Sequence, residues 1–365
     1  MQQPLPETTA VPPPPAAGPA VRLARPRHLQ FAAAVAALAW YFCARALAAS
    51  AAEGIGSRLD LGELRPPLEA VFRVFLVVVG VGLLAGMERR RAPLRLTLGL
   101  PRRRSAGREW GEGAALGWAL AVASALPMLL GRALSARLWT APRAWEMAAA
   151  GLLTLALWAL AQALGVYGYA FHRLIEATGP TRATLILALL AAVYAGSSPA
   201  AGGAPGLRVA VAVLGTVLLC LCWTRTHGLW LLWGLQFAWS AVTAVVFGLP
   251  LSGSGAFASV VETRASGPEW LTGGEFGPGA ALFTAVFLLA AAAVLLRLTS
   301  DYAWEYTRAP IIPAGNVVDV PPPSAHTAIE ASATAAADKP TPAPPPLVQI
   351  LPAPARSDAA GPAAK

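Results

Sequence analysis

The sequence predicts an all-α membrane protein, a polytopic helical bundle with about eight transmembrane helices. The first observation is composition: 56% of the 365 residues are hydrophobic and only 13% are charged, whereas soluble domains carry about 25% charged residues. The second is the recurrence of uncharged apolar runs of about 20 residues, the length that one helix needs to cross a hydrocarbon core. Because backbone groups in lipid must bond to one another, these runs are expected to be helices.

Two Pro-rich tails flank the apolar part of the chain. Residues 1–27 and the Pro/Ala-rich residues 300–365 hold little that packs, so both are expected to be disordered. Residues 28–93 contain two predicted transmembrane helices, and residues 94–299 contain the remaining ones. The first apolar run lacks a small-residue cleavage site, so it is expected to be a retained span. The predicted spans are 29–49, 68–87, 111–130, 147–171, 183–197, 207–223, 228–249 and 279–298.

Arginines beside the spans set the expected orientation. The segment from Glu88 to Glu109 holds eight arginines, and the positive-inside rule places it in the cytoplasm. With eight spans, both termini then lie on the cytoplasmic side of the cell inner membrane. Three arginines in residues 131–146 oppose this assignment, and the eight-arginine segment outweighs them. Glu69 and Arg73, four apart on one helix face, are predicted to pair.

The expected partners are membrane lipids and, in one hypothesis, a membrane peptide or protein. The net charge of +9 is mostly arginine beside the spans, a distribution typical of contact with anionic lipid, and no nucleic-acid partner is expected. Cys220 and Cys222 are two apart on a predicted helix and so face different ways, which favours apolar filling over zinc binding. His172 and His227 lie at the predicted cytoplasmic edge, where interfacial histidines are the ordinary case.

The most informative stretch runs from His227 to Pro278. Its first part, to Gly248, is an uncharged apolar segment with Gln236 and Ser240 on one helix face. Because unpaired amides and hydroxyls are costly in lipid, this pair is expected to face other helices or a cavity. The Gly/Ser-rich loop that follows is not a phosphate loop, since it lacks the Lys and Ser/Thr of that motif and a preceding strand.

This stretch resembles the last conserved region of the CPBP intramembrane metalloproteases, the family of the type II CAAX prenyl proteases, the Abi proteins and the lysostaphin resistance protein A-like proteins. That region typically reads G-S-L-W-x-x-x-G-x-H-x-x-x-N, then G-x-x-x-S-G, and in many members G-P-x-x-x-T-G-G-x-F-G-P. The resemblance covers roughly residues 94–299 and implies a CPBP-type helical core. Non-catalytic residues of these motifs are present in this chain. They are Gly228, Leu229, Trp230, Gly234, Gly248, Ser252, Gly253, Gly267, Pro268, Thr272, Gly273, Gly274, Phe276, Gly277 and Pro278.

The catalytic positions that the resemblance implies are replaced in this chain. In the family, an adjacent Glu pair followed by Arg-Gly, a His in a second motif, and the His and Asn of the last region activate water and hold a metal. The matching residues here are Gln162 and Ala163 for the Glu pair, Tyr167 for the Arg, Ser197 for the second-motif His, Gln236 for the last His and Ser240 for the Asn.

The absence of metal ligands does not depend on how the sequence is aligned with the family motifs. Apart from His172, residues 147–175 contain no Asp, Glu or His, and residues 183–224 and 228–261 contain none. A hydrolytic metal site needs about three such ligands and a base. We therefore expect no catalytic residue, no metal and no other cofactor. Zinc or another divalent metal is expected only under the alternative of an active peptidase with atypical ligands.

Five polar side chains persist within the predicted spans, and Gln162 and Gln236 lie at similar predicted depths. They are predicted to form an amide pair between helices, worth about 0.6 kcal/mol. A sharper hypothesis is a retained cavity that binds a membrane peptide or lipid without cutting it, which makes the chain a non-catalytic pseudoprotease. The alternatives are an active CAAX-type endopeptidase and a transporter or scaffold. A transporter predicts charged residues within the spans or a through-path, and the spans show little of either. The five residues are Gln162, Tyr167, Ser197, Gln236 and Ser240.

Overall fold

A computed structural model describes residues 26–60, 62–87, 93–139, 141–197, 204–251 and 260–298. These ranges belong to the first of two compact units, Met1–Thr307, and the second unit, Arg308–Lys365, lies outside the described residues. The tails predicted to be disordered also lie outside them, except for positions 26 and 27.

The described part of the chain is mostly helical. Two α-helices continue without a break as π-helices: Pro142–Gln162 continues as Ala163–Phe171, and Trp230–Ala241 continues as Val242–Val246. Short 3-10 helices span Gly62–Leu64 and Gly274–Ala280. The α-helices are α1 Arg27–Arg58, α2 Arg65–Met87, α3 Leu94–Thr97, α4 Ala106–Leu130, α5 Pro142–Gln162, α6 His172–Thr178, α7 Pro180–Gly196, α8 Pro205–Thr226, α9 Trp230–Ala241, α10 Glu269–Thr272 and α11 Leu282–Leu298.

Six stretches of the described chain are long and apolar enough to cross a membrane, which makes this a multi-pass membrane protein. Two shorter apolar helices, Pro180–Gly196 and Trp230–Val246, occupy the places of predicted spans five and seven, and their crossing stays a prediction. Helix α1, with 32 residues, runs past its predicted end because that region is rich in alanine, the strongest helix former. The six are Arg27–Arg58, Gly62–Met87, Ala106–Leu130, Pro142–Thr178, Pro205–Thr226 and Gly274–Arg297.

Proline and glycine set several helix boundaries. Pro142, Pro180 and Pro205 occupy the first turns of their helices, where the missing N–H has no partner to lose. Gly179 separates α6 from α7 with a φ of 87°, a conformation that glycine adopts without strain. The predicted span four is therefore part of a longer helical rod that stops only at this Gly-Pro pair.

Two short strands meet at one end of the bundle, an element that the all-α prediction lacked. Strand β1, Leu134–Leu138, pairs antiparallel with β2, Val261–Ala265, and sets Arg137 opposite Glu262. Both strands lie in segments predicted as loops, and each has five mostly exposed residues, too few for a diagnostic alternation of apolar side chains. We call this end of the bundle the β end, and the opposite end, where Arg103 and Arg173 lie, the arginine end.

Glycines bring α4 and α9 into close backbone contact. A Cβ on Gly113 would lie 2.0 Å from the carbonyl oxygen of Leu231. One on Gly117 would lie 2.2 Å from the carbonyl oxygen of Leu235, and Gly234 approaches the backbone of α4 equally closely. Small residues four apart are typical of helix pairs in membranes, where packing rather than hydrophobicity holds helices together. This contact fixes the helix that carries Gln236 and Ser240.

The first two helices complete the wall around the centre of the bundle. Tyr41 of α1 and Val77 of α2 share a buried apolar cluster with Ala163 and Leu164. The fit is tight at Gly165, where a Cβ would lie 2.7 Å from the Tyr41 ring. Consequently α1 and α2 pack directly on the segment that carries the first predicted catalytic positions.

Candidate functional site

A cavity of about 930 Å³ lies within the bundle, a volume in the range of small-molecule pockets, about 300–1,000 Å³. Residues of α1, α2, α4, α5, α7, α8, α9 and α11 line it. The walls are mainly apolar, as expected for a site that takes a hydrophobic or amphiphilic ligand. Its large apolar side chains include Leu120, Leu155, Trp158, Leu235, Trp239 and Leu288.

The cavity brings together most of the polar residues predicted from the sequence. Gln162 and Tyr167 come from α5 and its π-helical continuation, whereas Gln236 and Ser240 come from α9. The four residues are far apart in the chain and share one cavity. The expectation that polar groups of the last spans face a cavity rather than lipid agrees with this placement.

Ser197 does not reach the cavity. It follows the last residue of α7 in an exposed position, and its hydroxyl donates to the carbonyl of Tyr194 at 3.1 Å. The structure separates it from the other positions that match the family motifs. Ala163 is fully buried in the apolar cluster, next to Gln162 but without a polar group.

The predicted amide pair between Gln162 and Gln236 does not form. Gln162 is hydrogen-bonded to the Tyr167 hydroxyl, which is also hydrogen-bonded to Thr216. The Oε1 atom of Gln236 is buried and has no hydrogen-bond partner among the described residues. The physical reason is the π-helix, whose bonds join residues five apart and so place Tyr167 one turn from Gln162.

Both helices that carry the predicted site widen into π-helices, one directly after Gln162 and the other two residues after Ser240, a feature often found at functional sites. The first of these turns depends on Gly168, because a Cβ there would lie 2.3 Å from the carbonyl oxygen of Leu98. Gly99 follows Leu98, and its carbonyl oxygen accepts a hydrogen bond of 3.1 Å from the backbone N–H of Leu229. The turn at residues 98–99 thus ties the beginning of α9 to the π-helix after α5.

Four charged side chains also line the cavity: Arg45, Glu69, Arg73 and Arg208. Glu69 and Arg73 form the predicted ion pair, which is confirmed, and both side chains line the cavity. The Arg73 guanidinium carbon lies 5.0 Å from the centre of the Trp158 ring. A charge at the centre of a bilayer costs about 2.5–3.5 kcal/mol, and these two contacts offset part of that cost.

Arg45 and Arg208 are cavity residues that were not predicted from the sequence. Arg208, 7% exposed, lies near the start of α8 with its guanidinium 5.4 Å from the Phe276 ring. Arg45 falls near the end of the predicted span 29–49. Because α1 extends to Arg58, Arg45 instead lies well inside the helix and hydrogen-bonds Tyr194 of α7. A single arginine within an otherwise apolar run was the available signal for both.

The Gly-rich loop closes the cavity at the β end. Gly277 has a φ of 72°, and a Cβ there would lie 2.2 Å from the carbonyl oxygen of Pro250. Gly273 has a φ of 75°, and its Cβ would lie 1.7 Å from the carbonyl oxygen of Gly277. Only glycine fits such positions. The loop thereby holds Phe276 and Gly279 against the cavity.

A family-type metal does not fit the residues present. Within the described residues, no group of three His, Cys, Asp or Glu side chains is placed to hold a metal ion. The cavity positions contribute neutral amide and hydroxyl groups instead. His172 and His227 both pack on Trp223, with ring centres 5.5 and 5.4 Å from it, and Cys220 and Cys222 are buried as apolar filling.

His227 ends α8 at the arginine end. Its backbone is left-handed, with a φ of 47°, and the Arg103 guanidinium donates to the neighbouring carbonyl of Thr226 at 2.7 Å. Burial and, secondarily, the charge of Arg103 lower the pKa of His227 below its ordinary value of 6.5. The neutral imidazole is therefore the form that the folded chain favours.

No protein-family model, curated protein or solved structure matches this chain.

Proposed function

We propose that this chain is an integral inner-membrane protein with a CPBP-type core that binds a membrane peptide or lipid in its cavity without hydrolysing it. One observation carries the proposal: a single cavity gathers Gln162, Tyr167, Gln236 and Ser240. Neutral amides and hydroxyls orient a ligand through hydrogen bonds. They do not ionise water near neutral pH, as a metal centre does.

The chemistry of the cavity supports an amphiphilic ligand. Its walls are mainly apolar, and its polar groups are few and convergent, the arrangement typical of ligand sites. The one carboxylate among the described lining residues, Glu69, is paired with Arg73 and so is a poor base for activating water. In this proposal both termini face the cytoplasm, with the arginine end on that side.

A cavity-filling variant tests binding directly. Gly215 lines the cavity, and a Cβ added there meets no atom within 4 Å, so Gly215→Leu projects into the open space. Gly86→Leu is the matched control, because Gly86 is equally open but lies outside the cavity lining. Native mass spectrometry of the full chain from phosphatidylcholine–phosphatidate vesicles should show bound lipid for the natural protein and Gly86→Leu. Gly215→Leu should lose it; equal retention by both variants would refute the proposal.

The active-peptidase alternative has its own test. The purified full chain is incubated with a farnesylated CAAX peptide, with and without added zinc, and the products are followed by mass spectrometry. The proposal predicts an intact peptide in both conditions. Cleavage that a chelator abolishes would instead establish a hydrolase with ligands other than the family's.

The transporter alternative gains support from one observation. Arg73 and Arg208 are 8% and 7% exposed and line the cavity. Charged residues facing a cavity between helices are typical of transport pathways. Uptake of radiolabelled phosphate or of a fluorescent anionic lipid into proteoliposomes separates this function from simple binding, which predicts no transfer.

A further inference from the structure

We infer that the cavity binds an anionic lipid, whose phosphate lies among Arg45, Arg73 and Arg208 while its acyl chains follow the apolar walls. The inference rests on the proposed function and specifies the ligand class of the same site. Four observations carry it: the charge of the cavity lining, the convergence of two arginines, the opening between α1 and α7, and the depth of the charges.

The charge of the cavity lining is unbalanced. Its described residues include three arginines and one glutamate, and that glutamate, Glu69, is bound to Arg73. Arg45 has a neutral hydrogen-bond partner, the Tyr194 hydroxyl. Guanidinium groups bind phosphate through paired, charge-assisted hydrogen bonds. A phosphate in the cavity therefore supplies the negative charge that its walls lack.

Two of these arginines converge on one part of the cavity. Tyr41, which lines the cavity, lies within electrostatic reach of both Arg73 and Arg45. The Arg73 side chain is buried, yet its Nε–H has no hydrogen-bond partner among the described residues. A buried guanidinium donor without a partner is costly. An anion beside Arg73 satisfies this donor and reaches Arg45 as well.

The contact between α1 and α7 gives acyl chains a route into the bilayer. Phe42 and Tyr194 line the cavity and are 37% and 49% exposed. Their ring centres lie 6.2 Å apart. Residues that face both a cavity and the outside form the edge of a lateral opening. The hydrogen bond from Arg45 to Tyr194 spans this opening, so a phosphate that binds Arg45 also frees Tyr194 to move.

The depth of the charges favours a small headgroup. At 1.5 Å per residue, Arg45 and Arg73 lie roughly 20 and 12 Å from the ends of their helices at the β end. At this depth the buried Arg73 and Arg208 favour a phosphate without a bulky substituent and with the higher charge of a monoester. Among lipids, phosphatidate has this chemistry.

The test compares three probes on the full chain purified in detergent: short-chain phosphatidate, short-chain phosphatidylcholine and inorganic phosphate. Binding is followed by native mass spectrometry and by tryptophan fluorescence, since Trp158 and Trp239 line the cavity. We expect phosphatidate to bind at least about tenfold more tightly than the other two, given the strength of hydrogen bonds to charged groups. Inorganic phosphate as tight as phosphatidate would overturn the inference, because the apolar walls would then contribute nothing.

Two variants assign the effect to the cavity. Arg45→Gln alone, and Arg45→Gln with Arg208→Gln, should each weaken phosphatidate binding, the double variant by about tenfold or more, and should weaken phosphatidylcholine binding less. Arg264→Gln is the matched control, an exposed arginine of β2 outside the cavity lining, and should bind as the natural chain does. Arg45 is exposed, so its variant is expected to fold even where the double variant does not.

The outcomes separate this inference from the proposed function. Equal binding of phosphatidate and phosphatidylcholine, or variants without effect, would refute an anionic ligand while leaving a lipid-binding cavity intact. Two results together would refute the proposed function itself. Neither lipid would bind in detergent, and Gly215→Leu would retain as much peptide or lipid as the natural chain.

Discussion

At the scale of single residues, two glutamines of the same cavity have opposite environments. Gln162 is hydrogen-bonded to Tyr167, whereas Oε1 of Gln236 is buried without a partner among the described residues. A satisfied buried amide stabilises a fold by about 1 kcal/mol, and an unsatisfied one destabilises it by a similar amount or more. The two side chains thus provide a matched pair of substitutions.

We expect Gln236→Leu to raise the free energy of unfolding by about 1 kcal/mol and Gln162→Leu to lower it by about 1 kcal/mol. The measurement is thermal unfolding of the purified variants in one detergent, followed by circular dichroism. Under the proposed function, Gln236→Leu also weakens ligand binding, since the unsatisfied amide is the group available to a ligand. A fall in stability for Gln236→Leu as large as for Gln162→Leu would contradict this account.

A second residue-scale prediction concerns pH. The pKa of His227 lies below its ordinary value of 6.5 in the fold, so the unfolded chain binds the proton more tightly. The stability contributed by neutral His227 is therefore full above pH 6.5 and declines as pH falls through and below 6.5. His227→Asn keeps a residue type that tolerates the left-handed backbone and should flatten this decline in the unfolding temperature.

The control for that experiment is His28→Asn, an exposed histidine at the same end of the bundle. It should leave the pH dependence of the unfolding temperature as in the natural chain. An identical decline below pH 6.5 in His227→Asn would show that other groups cause it.

At the scale of secondary-structure elements, what could be predicted depended on whether the signal was local. The Glu69–Arg73 pair follows from helical spacing alone, and the long apolar runs follow from their length. The π-helix at Ala163–Phe171 does not, because it depends on the close approach of Gly168 to the turn at Leu98, a contact between distant segments. For the same reason the pairing of Gln162 with Tyr167 could not be predicted from an ideal helix.

The contact of α4 with α9 gives an element-scale prediction. Gly113→Ala places a Cβ 2.0 Å from a backbone carbonyl of α9, and overpacking of this kind typically costs about 1–3 kcal/mol. Gly111→Ala changes the same helix where a Cβ meets nothing within 4 Å, so its higher helix propensity should make it neutral or stabilising by up to about 1 kcal/mol. Unfolding temperatures of the two variants test this difference, and similar values would contradict it.

At the scale of the whole molecule, the arrangement of charge bears on orientation. Two arginines near the β end have carboxylates beside them: Arg143, one of the three that opposed the assignment made from the sequence, forms an ion pair with Glu63, and Arg65 forms one with Glu53. Arg137 stands opposite Glu262 across the two strands. Pairing lowers the net charge of this end, and the cytoplasmic placement of the arginine end stays a prediction from the positions of the arginines.

The number of crossings is the remaining question at this scale, and α7 is the decisive helix. Its 17 residues span about 25 Å at 1.5 Å per residue, less than the hydrocarbon core of about 30 Å. We nevertheless expect it to cross, because α8 packs along it and the helix begins and ends with polar groups, Arg182 and Ser197. A helix that crosses presents these two positions to opposite sides of the membrane.

Cysteine labelling decides between a crossing and a re-entrant α7. In a background with Cys43, Cys220 and Cys222 replaced by alanine, Ser197→Cys should react with a membrane-impermeant maleimide in intact cells. Arg182→Cys should react only after the membrane is permeabilised, and Arg264→Cys, at the β end, should behave as Ser197→Cys does. Labelling of positions 182 and 197 from one side would remove α7 from the spans. It would also reverse the sidedness predicted for every loop after α7, since each crossing fixes the side of the next loop.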